Sequence, residues 1–409
     1  MDPRVLVFVH ASQVVTCESP DAACIRTGTA VAVAEGRIAA VGEQAAVLAA
    51  HPGADRVDCR GGVLAPGFVD SHTHALFGRW RSEEYALRAR GVPYMEIARR
   101  GGGIHASVRD LRGRSEDELV ELGRARLSEM VRLGTTTAEV KSGYGLETKS
   151  ELKMLRAIRR LDREQQVDLV PTFMGAHEFP REYRDRRGAY VELITNEMIP
   201  AVAQEGLAVF CDVFMEPGVF DGEQARRVLE AGREAGLVSK LHADELEPSG
   251  GAELAAELDA ASADHLGAIS DAGIRALAAS RTVATLLPAT LFFLGRQRYA
   301  PARRLIEAGA AVALATDFNP GTAPSPSMPL VLTMACSQMG MEPIEALYAA
   351  TAGGARALRL GDGRGTLRAG AAADLVLWDV ADAAEIPYRF GAPPIAGVWK
   401  RGVPVERGG

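Results

Sequence analysis

The chain has 409 residues, 47% of them hydrophobic, with a formal net charge of -7. That supports a large buried core and argues against disorder; the length suits a large α/β barrel with a smaller appendage. Both charge signs are spread along the chain without a basic block, which excludes a nucleic-acid partner, and the Arg-rich stretch Arg181–Arg187 is interleaved with Glu182, Tyr183 and Asp185 as on a solvated surface.

Cys17, Cys24, Cys59, Cys211 and Cys336 are scattered without C-x-x-C spacing, the pattern of reduced thiols in a cytosolic protein. The N-terminus carries no signal-peptide pattern, and no apolar run reaches the roughly 18–20 residues that span a bilayer. A cytoplasmic protein with no membrane partner is expected.

Residues 1–63 read as short strands: 5–9, then 29–34 turning through Glu35-Gly36-Arg37 into 38–41. From 64 to about 360, strand-like segments alternate with helical ones. The strands fall at 67–71, 135–140, 167–172, 209–214, 238–242, 262–265, 282–287 and 311–316. The helices fall at 116–133, 150–163, 190–204, 222–235, 252–257, 271–279, 301–308 and 343–357. Ser115 with Glu118 forms a capping box, and Gly134, Gly206, Gly236 and Gly309 stand where helices end. Eight strands with helical returns predict an α/β fold, a (β/α)₈ TIM-like barrel; a doubly wound sheet is the alternative. Residues 361–409 return to β character, with Gly370–Asp379 a turn and strand and 395–399 with 403–405 a hairpin. The two terminal segments are expected to form one small composite β-sandwich beside the barrel.

Barrel active sites lie at the C-terminal ends of the strands. His72 and His74 follow strand one; Glu139, Lys141 and Tyr144 accompany strand two; His177-Glu178 follow strand three. His242-Ala243-Asp244-Glu245 follow strand five, His265 strand six, and Asp317-Phe318-Asn319 strand eight. Of the eight histidines only His10, His51 and His105 fall elsewhere. Two imidazoles of an H-x-H on one strand face suit one metal ion, and histidines gathered at one rim argue for a metal-dependent enzyme over scattered surface histidines.

This pattern resembles the amidohydrolase superfamily: H-x-H after strand one, His after strands five and six, Asp after strand eight, and a sandwich from both termini. Gly101–His105, Thr135–Gly145, Phe173–His177, His242–Glu245 and Ala315–Gly321 are similar to the branch that opens imidazolone rings. The resemblance runs through nearly the whole chain. It implies hydrolysis of the cyclic amide C–N bond of 4-imidazolone-5-propanoate to N-formimidoyl-L-glutamate, in L-histidine degradation. It further implies one Zn²⁺ or Fe³⁺ per subunit, held by His72, His74, His242 and Asp317, and a homodimer. Glu245 would handle the proton of the attacking water and His265 would assist it; Asp317 is the competing base. Arg81, Tyr94, Tyr144, His177, Glu245, Asn319, Gly321 and Thr322 would surround the substrate.

Arg81 falls where the family's arginine belongs by count from His74, and Arg79 is the alternative, because Gly78-Arg79-Trp80-Arg81 departs from the usual glycine-rich run. Lys141 follows strand two and not strand four, so it reads as structural and not as a lysine bridging two metals. Strand alternation turns Asp244 away from the site. His105 braces the glycine-rich loop 101–103, which either closes over the site or forms a simple turn. A metal-dependent nucleobase deaminase is the first competing reading; the Lys141–Tyr144 and Gly175–His177 motifs speak against it. A barrel that has lost its chemistry is the second; the presence of every candidate ligand speaks against that.

Overall fold

A computed structural model describes residues 5–92, 96 and 101–405. Eight parallel strands form one sheet in chain order: β1 (Phe68–Asp70), β2 (Thr135–Lys141), β3 (Asp168–Ala176), β4 (Phe210–Met215), β5 (Val238–Ala243), β6 (Ser262–His265), β7 (Val283–Leu286) and β8 (Val312–Leu314). Strict neighbour order with helical returns is the barrel topology, and the expected (β/α)₈ class is the one observed. The barrel closes just beyond the ends of β1 and β8, where Thr73 pairs with Phe318. The Asp317 N–H donates to the His72 carbonyl at 3.0 Å, and the His74 N–H to the Phe318 carbonyl at 2.9 Å. The seam of the barrel is therefore made by the segments that carry the first and last candidate ligands.

Two further sheets come from the termini. One has the order Arg37–Glu43, Thr29–Ala34, Leu6–Val9, Asp55–Asp58. The other has the order Val403–Pro404, Ile395–Lys400, Leu375–Trp378, Val63–Pro66, Gln13–Val15, Ile25–Arg26. Their inner faces share one apolar core, in which Phe8, Val31, Val33 and Ile38 of the first meet Leu64, Leu375 and Leu377 of the second. Both ends of the chain thus build one sandwich, and Phe68 against Trp378, ring centroids 5.8 Å apart, joins it to the barrel. Residues 64–66, assigned to the barrel by pattern, continue a strand of the six-stranded sheet; the chain crosses between the two at Gly67.

The helix expected over 190–204 is broken. It runs as Arg187–Leu193, one wide π turn at Ile194–Met198, and Ile199–Gln204. Pro200 has no N–H to donate backward, so the regular ladder cannot pass it.

Asp168, at the foot of β3, binds Lys400 at 2.9 Å and Arg364 at 2.8 Å, tying the barrel floor to the terminal sheet. Burial opposes its charge, but Lys400 and Arg364 outweigh that and hold its carboxyl below the ordinary 3.8. A carboxylate with a depressed folded pKa contributes stability that is full above its unfolded value and lost as pH falls through the folded one. Thermal melts of Asp168→Asn are expected to show a flatter loss of stability below about pH 4 than the parent chain shows.

Candidate active site

Four side chains from three strand ends face one another at the C-terminal rim. His72 Nε2 lies 3.5 Å and His74 Nε2 3.6 Å from Asp317 Oδ1. His242 Nε2 lies 3.4 Å from His74 Nε2. All four residues are buried. Asp317 reaches inward from a left-handed backbone, φ 54°, and His265 from φ 79°; such positions in non-glycine residues cluster at functional sites.

The imidazoles are oriented from behind. His72 Nδ1 shares a hydrogen bond of 2.6 Å with Asp264, and His242 Nδ1 one of 3.0 Å with Asp212. A carboxylate on one ring nitrogen fixes the other as the free lone pair. His72 Nε2 is nevertheless buried without a hydrogen-bond partner. Leaving such an atom unsatisfied costs about 1–3 kcal/mol. Burial also holds His72 and His74 well below the ordinary histidine range, so both are neutral bases. Three imidazoles and a carboxylate facing one another at these distances fit a metal cation in donor type and count.

Beneath them lies a buried ionic layer. Lys141 Nζ binds Asp212 at 2.6 Å and Glu139 at 2.9 Å; Lys240 Nζ lies 3.1 Å from Glu139 and donates to the Ser71 carbonyl at 2.8 Å. Asp264 lies 3.8 Å from Lys141 and 3.6 Å from Lys240. Burial opposes the Lys141 charge, but Asp212, Glu139 and Asp264 outweigh it and raise its pKa. Lys141 is thus the centre of a salt-bridge network.

The outer wall holds the remaining candidates. His177 stacks on His74, ring centroids 4.9 Å apart, and Tyr144 lies 6.0 Å from His74 and 5.5 Å from His177. The Gly143 carbonyl meets His177 Nδ1 at 3.0 Å, and burial pushes that imidazole down to about 3. The Arg81 charge acts on both Tyr144 and His177. Its guanidinium crosses Gly321 so closely that a Cβ there would stand 1.2 Å from Nη2. Arg79, in contrast, is exposed, and its N–H binds Asp110 at 2.9 Å. Asn319 Oδ1 accepts from the N–H groups of Gly321 and Thr322, each at 2.8 Å, and its amide donates to the Asp317 carbonyl at 2.7 Å. Its side chain therefore holds the loop around Gly321 and Thr322. Tyr94 lies outside the described residues.

Glu245 Oε2 stands 3.7 Å from His265 Nε2. Burial, then the charges of Asp317 and Glu216, push the Glu245 carboxyl up to about 8. Asp317 is pushed up to about 6 by burial, against a hydrogen bond from Thr290 to its second oxygen. Asp244 faces away and accepts the Ser249 N–H at 2.6 Å and the Ala252 N–H at 2.9 Å. Glu216 accepts three successive N–H groups, of Glu245, Leu246 and Glu247, at 3.1, 3.1 and 2.7 Å, and so fixes the start of the Glu245 loop. Sequence reading did not single out Glu216, Asp212, Asp264, Lys240 or Thr290. The one available signal was a charge inside an otherwise apolar strand, at Asp212 and Lys240.

The chain belongs to the amidohydrolase family, which matches residues 63–406. The fold alone is shared with distant solved structures. An adenosine deaminase from Xanthomonas campestris superposes with a TM-score of 0.72 at 20% identity, covering 98% of this chain and 93% of that one. E. coli guanine deaminase gives 0.73 at 16%, covering 99% of each. Sequence relatives narrow the placement. The imidazolonepropionase of Symbiobacterium thermophilum is 49% identical over 413 residues, covering 98% of this chain and 97% of its own. That of Myxococcus xanthus is 47% identical over 410, with the same coverage. Within the amidohydrolases, the chain is a member of the imidazolonepropionase family.

Proposed function

We propose that this protein hydrolyses the ring C–N bond of 4-imidazolone-5-propanoate to N-formimidoyl-L-glutamate, a step of L-histidine degradation. Supporting this reading, His72, His74, His242 and Asp317 lie within 3.4–3.6 Å of one another in pairs at the rim that also holds Glu245 beside His265, and Arg81 lies over Gly321.

His72, His74, His242 and Asp317 would hold one Zn²⁺ or Fe³⁺. When bound, the ion supplies Lewis acidity and brings the pKa of water in the site towards ~7. Glu245 accepts a proton from the attacking water, whose oxygen bonds to the ring carbonyl carbon. His265, beside Glu245, orients that water and stabilises the developing oxyanion. The proton then passes from Glu245 to the departing ring nitrogen as the C–N bond breaks. Glu245 is the better base than Asp317, whose oxygens are engaged by Thr290 and face His72 and His74.

Arg81 takes the propionate through its two-pronged guanidinium. Tyr144 and neutral His177 line the ring pocket, while Asn319 shapes the Gly321–Thr322 loop against the substrate. Tyr94 belongs to the same contact set through the family resemblance. Arg81→Met is expected to raise KM by roughly 10-fold or more with little change in kcat, since a charge-assisted bidentate contact is worth about 1.5–3 kcal/mol. Steady-state kinetics check this, and an unchanged KM moves the propionate contact elsewhere.

A homodimer and a cytoplasmic setting complete the reading; light scattering tests the first. Among the described residues no helix is long and apolar enough to cross a membrane. The decisive assay offers metal-loaded protein imidazolonepropionate and, separately, nucleobases. Ring opening without ammonia supports the proposal. Ammonia from a nucleobase, with imidazolonepropionate untouched, places the chain with the deaminases instead.

A further inference from the structure

Arg126 is a buried cation that the chemistry above does not use. It sits on the inner face of the helix Glu116–Arg132 and is only 6% exposed. Among the described residues no carboxylate within ion-pair distance answers it. Its donors go instead to three carbonyls of one short segment: Phe77 at 2.5 Å, Gly78 at 2.7 Å and Ala75 at 3.3 Å. Its guanidinium lies 3.3 Å from the Phe77 ring centroid and 5.5 Å from that of Trp80. Burying a charge without a counter-ion is costly, and core filling alone is served better by an apolar side chain.

The segment it grips runs from the ligand His74 to Arg81. Its far side is fixed by a second helix, Ile104–Arg112. There Asp110, held in the fork of Arg114 at 2.8 and 3.0 Å, accepts the Arg79 N–H at 2.9 Å. Gly78 permits this close approach, since a Cβ there would stand 1.7 Å from Asp110 Oδ2. Residues 75–81, with little regular structure, are thereby held by carbonyls on one side and by an N–H on the other. Burial pulls Arg126 down to about 10, so it remains protonated at neutral pH.

We infer that Arg126 is a positioning residue for substrate recognition: it sets the path of residues 75–81 so that the Arg81 guanidinium lies over Gly321. The inference rests on the reading of Arg81 as the propionate clamp. A displacement of about 1 Å at a binding group is enough to cost ~10²-fold, so a distant grip of this kind has a kinetic signature.

The test compares Arg126→Lys, Arg126→Met, Arg81→Met and the Arg81→Met/Arg126→Met double variant in the metal-loaded full chain. Imidazolonepropionate is the substrate, and metal content is read alongside. Arg126→Met is expected to raise KM at least ~10-fold with kcat and metal content near the parent values. Arg126→Lys keeps the charge but loses the planar fork and its stacking on Phe77, so an intermediate KM is expected. The double variant is expected to show a KM no higher than Arg81→Met alone, because both changes disable one contact. If Arg126→Met does not fold, Arg126→Lys carries the test. Parent KM in the Arg126 variants while Arg81→Met raises it, or fully additive effects in the double variant, overturns the positioning role alone. Parent KM in Arg81→Met overturns the clamp reading, and the inference with it.

Discussion

Glu245→Gln is expected to lower turnover by at least ~10²-fold while leaving metal content and most of the substrate affinity intact, the scale of a lost acid–base group. The position of Glu245 suits a proton carrier. It lies three residues after His242 on a loop that Glu216 clamps by three N–H groups, and its carboxyl ends 3.7 Å from His265. Burial lifts its carboxyl to about 8, so at neutral pH it can hold a proton as well as release one. The amide keeps the size and most hydrogen bonding but cannot exchange the proton. Turnover in a metal-replete Glu245→Gln protein within a few-fold of the parent removes Glu245 from the role and returns it to Asp317.

Lys141→Met is expected to lower stability by about 3–5 kcal/mol, the usual consequence of removing one partner from a buried ion pair. The side chain is fully buried, with Asp212 at 2.6 Å and Glu139 at 2.9 Å. Methionine restores the volume and leaves the carboxylates without the charge that balances them. Asp212 also orients His242 at 3.0 Å, so the loss reaches the site. Metal affinity is expected to fall by about 10–100-fold, the range for a disturbed partner of a ligand. Chemical denaturation with and without chelator separates the two effects. A parent-like midpoint in both conditions contradicts the assignment of Lys141 as the centre of the layer.

The barrel and the candidate ligands were legible in the chain because both rest on local pattern. His72 and His74 alternate on one strand end, and the other strand ends announce themselves by polar residues after apolar runs. The layer beneath was not legible. His72 finds Asp264 at a separation of 192 residues, and Lys141 finds Asp212 at 71. Such pairings are set by barrel register, which no local window contains. Asp212 and Lys240 were visible only as charges within strands, and nothing local told a buried pair from a solvated strand face. Asn319 was read as a substrate contact from its motif, yet its polar atoms are directed to its own loop. The difference between Arg79 and Arg81 likewise needed the fold: Arg79 is exposed with its N–H on Asp110, whereas the Arg81 guanidinium lies over Gly321.

His72, His74, His242 and Asp317 are expected to form one mononuclear site that drives ring opening. Titrating chelator-stripped protein with Zn²⁺ or Fe³⁺, while following imidazolonepropionate consumption and bound metal together, tests it most directly. Activity is expected to rise from near zero and level off at one ion per chain. Full activity in the stripped protein, or activity that appears only with a second ion per chain, contradicts it.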